Sequence, residues 1–354
     1  MTPLERDIRT IIETEGPMTV SDYMQLCLAH PQHGYYVTRD PFGAAGDFVT
    51  APEVSQMFGE LLGAWIAAVW RQMGSPEGVR LIELGPGRGT LMADALRAAR
   101  ALPEFHAAVA VHLVEISPVL RALQEKALAR AGVPIEWHHG IEEIADGPAL
   151  AIANEFVDAL PISQFVKDHD GWHVRMVGIA DDKLSFMAAP DPMLGHAADA
   201  TTPGTILERR DDQPVSSLAQ RIARQGGAAL VIDYGHAESA FGDTLQAVCG
   251  HKFADPLENP GEADLTAQVD FAAVATWAQR QGAATQGPVA QGEFLRRLGI
   301  EQRAARLKAN ATSQQAADID AALARLTAPD QMGDLFKVLA IADPKLGPLP
   351  GFDL

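Results

Sequence analysis

The stretch that most constrains this 354-residue chain is VRLIELGPGRGTLMADALRAAR (79–100), an apolar run that passes through three alternating glycines into a helix-like pattern. Glycines at Gly85, Gly87 and Gly89 let the backbone turn tightly and let a ligand approach the main chain. A buried strand followed by such a turn and a helix is the unit of a parallel α/β sheet, and the alternation continues. AVHLVEI (110–116) reads as a second strand, followed by the helical PVLRALQEKALARAG. IEWHH (135–139), ALAIAN (149–154) and AALVIDYG (228–235) read as the third to fifth, and LFKVLAIA (335–342) as a last strand. Helices are expected near 269–281 and 291–328.

Three ligand classes use loops of this kind. A phosphate-cradling NTPase loop ends in Gly-Lys-Ser/Thr, which Arg88 and Thr90 do not supply. The dinucleotide fingerprint wants a third glycine where Thr90 stands, and Pro86 removes an amide from the turn. Glu83, just before the glycines, discriminates further: its carboxylate would repel a pyrophosphate and attract an ammonium. S-adenosylmethionine offers an α-ammonium, a sulfonium and a ribose diol, with no phosphate. Glu83-x-Gly85-x-Gly87-x-Gly89 thus resembles the first motif of the seven-strand methyltransferases. Glu115, ending the second strand, stands where that class places an acid for the ribose hydroxyls. Ile141 and Glu142 would flank the adenine, although Glu143 is equally available and both acids can cap a helix.

Asn154, Glu155 and Asp158 follow the fourth strand, at the sheet edge where open parallel sheets bind ligands. Methyl transfer asks mainly for positioning. An arginine acceptor would suit paired carboxylates, because a planar guanidinium takes bidentate hydrogen bonds and its charge must be met locally. Glu155 and Asp158 are candidates for that clamp. The alternative is that one caps a helix while the other binds backbone amides. Asp233 and His236, after the fifth strand, add a further polar cluster, with His236 either titrating or lining a pocket.

Outside the sheet, Leu4, Ile8, Ile11 and Ile12 recur at helix spacing, and Ser21 is a candidate cap for a second helix through Leu28. HPQHGYYVTRDPFGAAGDFVTAP (30–52) reads as a long ordered loop, with Gly46, Asp47 and Thr50 as lid contacts over a cofactor or parts of a packed connector. One helix is expected from about Glu53 to Met73, burying Met57, Leu61, Leu62, Ile66 and Val69. QFVKDHDGWHVRMVG reads as a hairpin around Asp-Gly, and 188–204 as loop. The expected division is an N-terminal helical cap with its lid loop (1–75), a core (76–160 and 226–354) and a hairpin-containing insert (161–225).

Composition narrows the partners. With 28 basic and 46 acidic side chains the formal charge is −18, which disfavours nucleic acid and favours cationic partners. Cys27 and Cys249 are far apart, without a Cys/His cluster, so neither a disulfide nor a metal site is expected and both thiols read as buried. No apolar run reaches membrane-spanning length, and the charged start lacks a signal-peptide core. A bacterial cytoplasm is the expected compartment, or a mitochondrial matrix for a processed organellar chain.

HGYY (33–36), GDFVTAPEVSQMFGELLG (46–63), ELGPGRGTL (83–91), ANEFVDALP (153–161), VIDYG (231–235) and DLTAQVDF (264–271) together resemble the MidA family of S-adenosylmethionine-dependent methyltransferases. The resemblance spans nearly the whole chain. It implies a Rossmann-like seven-strand core with an N-terminal helical extension and an insert after the fourth strand. It also implies S-adenosyl-L-methionine as cofactor and a basic protein substrate, such as a complex I subunit, symmetrically dimethylated on arginine. A small-molecule acceptor, or a non-catalytic assembly factor retaining the cofactor site, are the alternatives. The family motif carries Glu83, Gly85 and Gly87; the Glu155/Asp158 clamp is a physical inference.

Overall fold

The computed structural model describes residues 1–41, 50–193 and 202–352. Seven strands make its central sheet: β1 (Val79–Leu84), β2 (Val109–Val114), β3 (Ile135–His138), β4 (Ala149–Asn154), β5 (Gly227–His236), β6 (Ala284–Ala290) and β7 (Phe336–Ala342). They lie in the order β3-β2-β1-β4-β5-β7-β6. β1 to β5 run parallel, while β7 is antiparallel to both β5 and β6. A two-residue strand, Val269–Asp270, extends the sheet beside the end of β5. This is the α/β arrangement expected from the strand–helix alternation.

Alternation along each strand feeds two separate cores. Leu150 and Ile152 face helices Gln56–Gln72, Thr90–Ala99 and Gln291–Arg297, whereas Ala149, Ala151 and Ala153 face helices Gln213–Gln225 and Phe271–Arg280. Helix Gln56–Gln72 buries Met57, Leu61, Leu62, Ile66 and Val69 as expected. It approaches helix Thr90–Ala99 closely because Gly59 and Gly63 lack side chains: a Cβ on Gly63 would lie 2.5 Å from the Ala95 carbonyl oxygen. Its buried Glu60 binds Arg97 at 2.5 Å and Arg303 at 2.7 Å, joining three helices around one carboxylate.

A third core unites the start of the sequence with its middle. Leu4, Ile8, Tyr23, Met24 and Tyr35 pack on Ile162, Val177 and Leu265. Met18–Thr19 pairs with Val177 and Met176 of the hairpin Ile162–Lys167/Trp172–Ala180, so the N-terminal segment adds an edge to that smaller sheet. Tyr36 donates to Asp264 at 2.9 Å, joining the HGYY and DLTAQVDF blocks.

Several expectations are corrected. The helix expected from Glu53 is interrupted at Ser55, an extended residue whose hydroxyl accepts from Met57 N–H; it separates Ala51–Val54 from Gln56–Gln72. Thr19, not Ser21, caps helix Val20–Ala29. The 291–328 region divides into Gln291–Arg297, Ile300–Lys308 and Ser313–Thr327. β6 was not expected, since Gly287-Pro288 reads as a breaker; it is tolerated at the sheet edge through a register shift between Gln286 and Val289. A strand at Ile206–Arg210 was also unforeseen. Cys27 is buried, but Cys249 is exposed.

Candidate active site

Two adjoining cavities lie at the C-terminal ends of β1, β2 and β4. The larger, about 570 Å³, is lined by Gly85, Gly87, Glu115, Ile141 and Glu142, together with Gln25, Leu28 and Tyr36 from the N-terminal segment. The smaller collects Thr50, Glu53, Glu83, Gly87, Thr90 and Asn154. Gly85 and Glu155 line both.

The glycine loop is built from left-handed backbone: Gly85, Gly87 and Gly89 have φ of +64°, +52° and +81°. A Cβ at Gly85 would also come within 2.9 Å of the Phe156 ring. Gln124, from the helix after β2, fixes this loop from below. Its amide nitrogen donates to the Gly87 carbonyl at 2.7 Å and to Glu115 Oε2 at 3.1 Å, while its oxygen accepts from Trp137 at 2.9 Å. Glu115 Oε1 accepts from Ser117 N–H at 2.8 Å. Burial pushes the Glu115 carboxyl up, opposed by the Ser117 and Gln124 hydrogen bonds.

Glu83 is buried, and its Oε2 has no hydrogen-bond partner among the described residues. Burial alone pushes it up to about 8. A buried acceptor at a cavity wall with nothing to accept from is a place for a ligand's cationic donor. The ammonium of S-adenosylmethionine fits that role, and the Glu115 carboxylate fits the ribose hydroxyls. Ile141 and Glu142 stand on the same wall as Glu115.

Glu155 has φ of +50°, a strained setting for a side-chain-bearing residue. Its N–H donates to Ile232 O at 2.9 Å, and its Oε1 accepts from Ala51 N–H at 3.1 Å and from Asn154 Nδ2 at 3.2 Å. Burial pushes Glu155 up to about 7, opposed by the Ala51 N–H. The Arg325 charge also acts on this carboxyl, favouring its ionised form.

The remaining predicted acids go elsewhere. Asp233 is fully buried and accepts from Val157 and Asp158 N–H at 3.0 and 3.1 Å and from Tyr234 N–H at 3.0 Å, so it holds the chain after β4 rather than facing a substrate. Asp158 is buried and is not among the lining residues of either cavity; burial raises it, countered by the Arg210 charge and the Tyr234 hydroxyl. Of the expected Glu155/Asp158 pair, only Glu155 stands at the cavities, so the paired arrangement is corrected. His236 is corrected as well: it lines a separate cavity of about 790 Å³ with Arg210, Asp270 and Trp277. Gly46 and Asp47 lie outside the described residues. Thr50 lines the smaller cavity and opens the turn Ala51–Val54.

Sequence reading missed Glu53, Gln124 and Asp211. Glu53 accepts from the Thr90 hydroxyl at 2.5 Å, and Arg88 binds Asp40 at 2.8 Å, so acids on both sides of the 42–49 segment hold the glycine loop. Glu53, three residues after Thr50, carried a capping-like signal but none for this partner. Gln124 lay in a helix read only for its apolar spacing.

Strand order, glycine loop and the two acids define an S-adenosyl-L-methionine-dependent methyltransferase. The profile of a family described as S-adenosyl-L-methionine-dependent methyltransferase matches residues 61–289, and the chain belongs to that family. It is 38% identical over 340 residues to the mouse protein arginine methyltransferase NDUFAF7, mitochondrial, covering 86% of this chain and 76% of that one. The fruit-fly homolog is 38% identical over 375 residues, covering 96% and 84%. A Burkholderia thailandensis crystal structure bound to S-adenosyl-homocysteine superposes with a TM-score of 0.85 at 28% identity, covering 99% of this chain and 94% of that one. Among the described residues no helix is long and apolar enough to cross a membrane.

Proposed function

We propose that this methyltransferase acts on arginine in a basic segment of a partner protein, with symmetric dimethylation as the product and a respiratory complex I subunit as the type of acceptor. The observation that carries the reading is Glu155. It lines both cavities, and one of its oxygens is anchored by Ala51 and Asn154, which holds the carboxylate where a cationic acceptor would meet it. Among the described residues the larger cavity is lined by Glu115, Glu142, Glu155 and Asp211 and by no lysine or arginine, which suits two positively charged ligands together.

The chemistry asks little of the protein beyond placement. S-adenosylmethionine supplies an electrophilic methyl group on its sulfonium. Glu83, the glycine loop and Glu115 hold that ligand, while Glu155 would orient the guanidinium and meet its charge. Raised toward neutrality, Glu155 can also take the proton that the alkylated nitrogen sheds. The names of the mouse and fruit-fly relatives support arginine as acceptor and, of the two expected compartments, the mitochondrial one.

The test is equilibrium binding of an arginine-containing basic peptide to the S-adenosyl-homocysteine complex. The wild type binds it, and Glu155→Gln weakens binding at least tenfold while leaving S-adenosyl-homocysteine affinity within about threefold. Equal peptide affinity in both proteins would remove Glu155 from acceptor recognition.

A further inference from the structure

Outside the two cavities, the parallel register of β2 and β3 brings three ligand-bearing side chains together on one face. His112 lies opposite Glu136, and His138 is two residues further along β3. A single donor atom from each converges: His112 Nδ1 and His138 Nε2 are 3.0 Å apart, and Glu136 Oε2 lies 3.8 and 3.9 Å from them. Three atoms so spaced lie on a circle of about 2.1 Å radius, matching zinc–imidazole and zinc–carboxylate bonds of roughly 2.0 to 2.2 Å.

We propose that His112, Glu136 and His138 bind one divalent transition-metal ion of the zinc class, with solvent completing its coordination. This reverses the expectation of no metal site drawn from cysteine usage, because the ligands are 24 and 26 residues apart in sequence and meet only through strand register. Two neutral imidazoles and one carboxylate select zinc and its borderline neighbours over calcium or magnesium, which prefer all-oxygen sites. Both histidines are buried, and Glu136 is exposed, so the site opens to water on the carboxylate side. His138 turns its other nitrogen, Nδ1, toward Glu143 at 3.9 Å, where a slight closure or one water gives the carboxylate partner common to metal-bound histidines. The Arg80 and Arg221 charges act on His112 from outside the ring of donors.

The place of the site gives it a use. The His138 carbonyl accepts from Glu115 N–H at 2.9 Å, and the next residues, His139 to Glu142, form the cavity wall beyond Glu115. An ion there ties the four-residue edge strand β3 to β2 and fixes the backbone that aims Glu115. It is a clip beneath the nucleoside end of the cavity, not a participant in methyl transfer.

The test titrates chelator-treated full-length protein with Zn²⁺ against a chromophoric competitor and follows the imidazole ¹⁵N shifts of His112 and His138. The expected result is one ion per chain, with large shifts at His112 Nδ1 and His138 Nε2. Binding should weaken at least tenfold in Glu136→Gln, whose exposed position leaves folding intact, and likewise in His138→Gln. Zinc should raise the thermal midpoint of the wild type but not of Glu136→Gln. Weak binding only, binding unchanged by Glu136→Gln, or ¹⁵N shifts that keep a neutral histidine–histidine hydrogen bond in the presence of zinc would each overturn the proposal.

Discussion

Gln124 holds Glu115 by a 3.1 Å hydrogen bond from the same amide nitrogen that binds the Gly87 carbonyl, so one side chain sets the distance between the glycine loop and the ribose acid. Removing it disturbs two ligand-facing elements at once. Gln124→Ala is expected to weaken S-adenosyl-homocysteine binding by roughly tenfold, about the loss of one or two hydrogen bonds to placed groups. Glu115→Ala should cost at least as much. Isothermal titration on both variants checks the pair, and their double variant should show less than the sum of the two losses.

Gly85 cannot be replaced cheaply. Its φ of +64° and the 2.9 Å approach that a Cβ would make to Phe156 act together, so Gly85→Ala either strains the turn or moves the ring in the larger cavity. The variant is expected to lose cofactor affinity by more than tenfold while staying folded by circular dichroism.

Glu83 makes cofactor binding pH-dependent. Burial pushes its carboxyl to about 8 in the free protein, and pairing with the ammonium requires the carboxylate. S-adenosyl-homocysteine binding should therefore release a proton at pH 7 and tighten as pH rises toward 8. The sign for stability is opposite. Because the folded-state value exceeds the unfolded one, the free protein loses stability as pH rises from about 4.5 to 8. Glu83→Gln removes that loss, gaining on the order of a few kcal/mol at pH 8 in denaturant titrations.

Glu60 shows the reverse linkage. Burial opposes its charge, yet the Arg303 and Arg97 guanidiniums hold its carboxyl below the usual range. Its contribution is present above its unfolded value and fades as pH falls through the lower folded one. Glu60→Gln should cost about 2 kcal/mol at pH 7, with the difference shrinking on acidification.

What the sequence disclosed depended on the range of the interaction. VRLIEL, ALAIAN and AALVIDYG are continuous apolar runs between turn signals, so β1, β4 and β5 were readable from burial alone. Glu83, Glu115 and the glycines were readable because their positions follow from strand ends. The chain position of Asp233 resembles that of Glu155 and suggests a substrate-facing acid. Only the fold shows that it accepts from Val157 and Asp158 amides. The pairing of Met18 with Val177 and the meeting of His112 with His138 depend on contacts far apart in the chain, which neither periodicity nor spacing encodes.

The central claim, methyl transfer from S-adenosylmethionine to protein arginine at Glu155, is tested most directly by product analysis. The enzyme is incubated with methyl-labelled S-adenosylmethionine and a mixture of basic proteins, then modified residues are located by mass spectrometry. The account predicts label on arginine, recovered as symmetric dimethylarginine after hydrolysis, and a loss of at least a hundredfold with Glu155→Gln. Label found only on small molecules or on other side chains, or arginine labelling undiminished in Glu155→Gln, would contradict it.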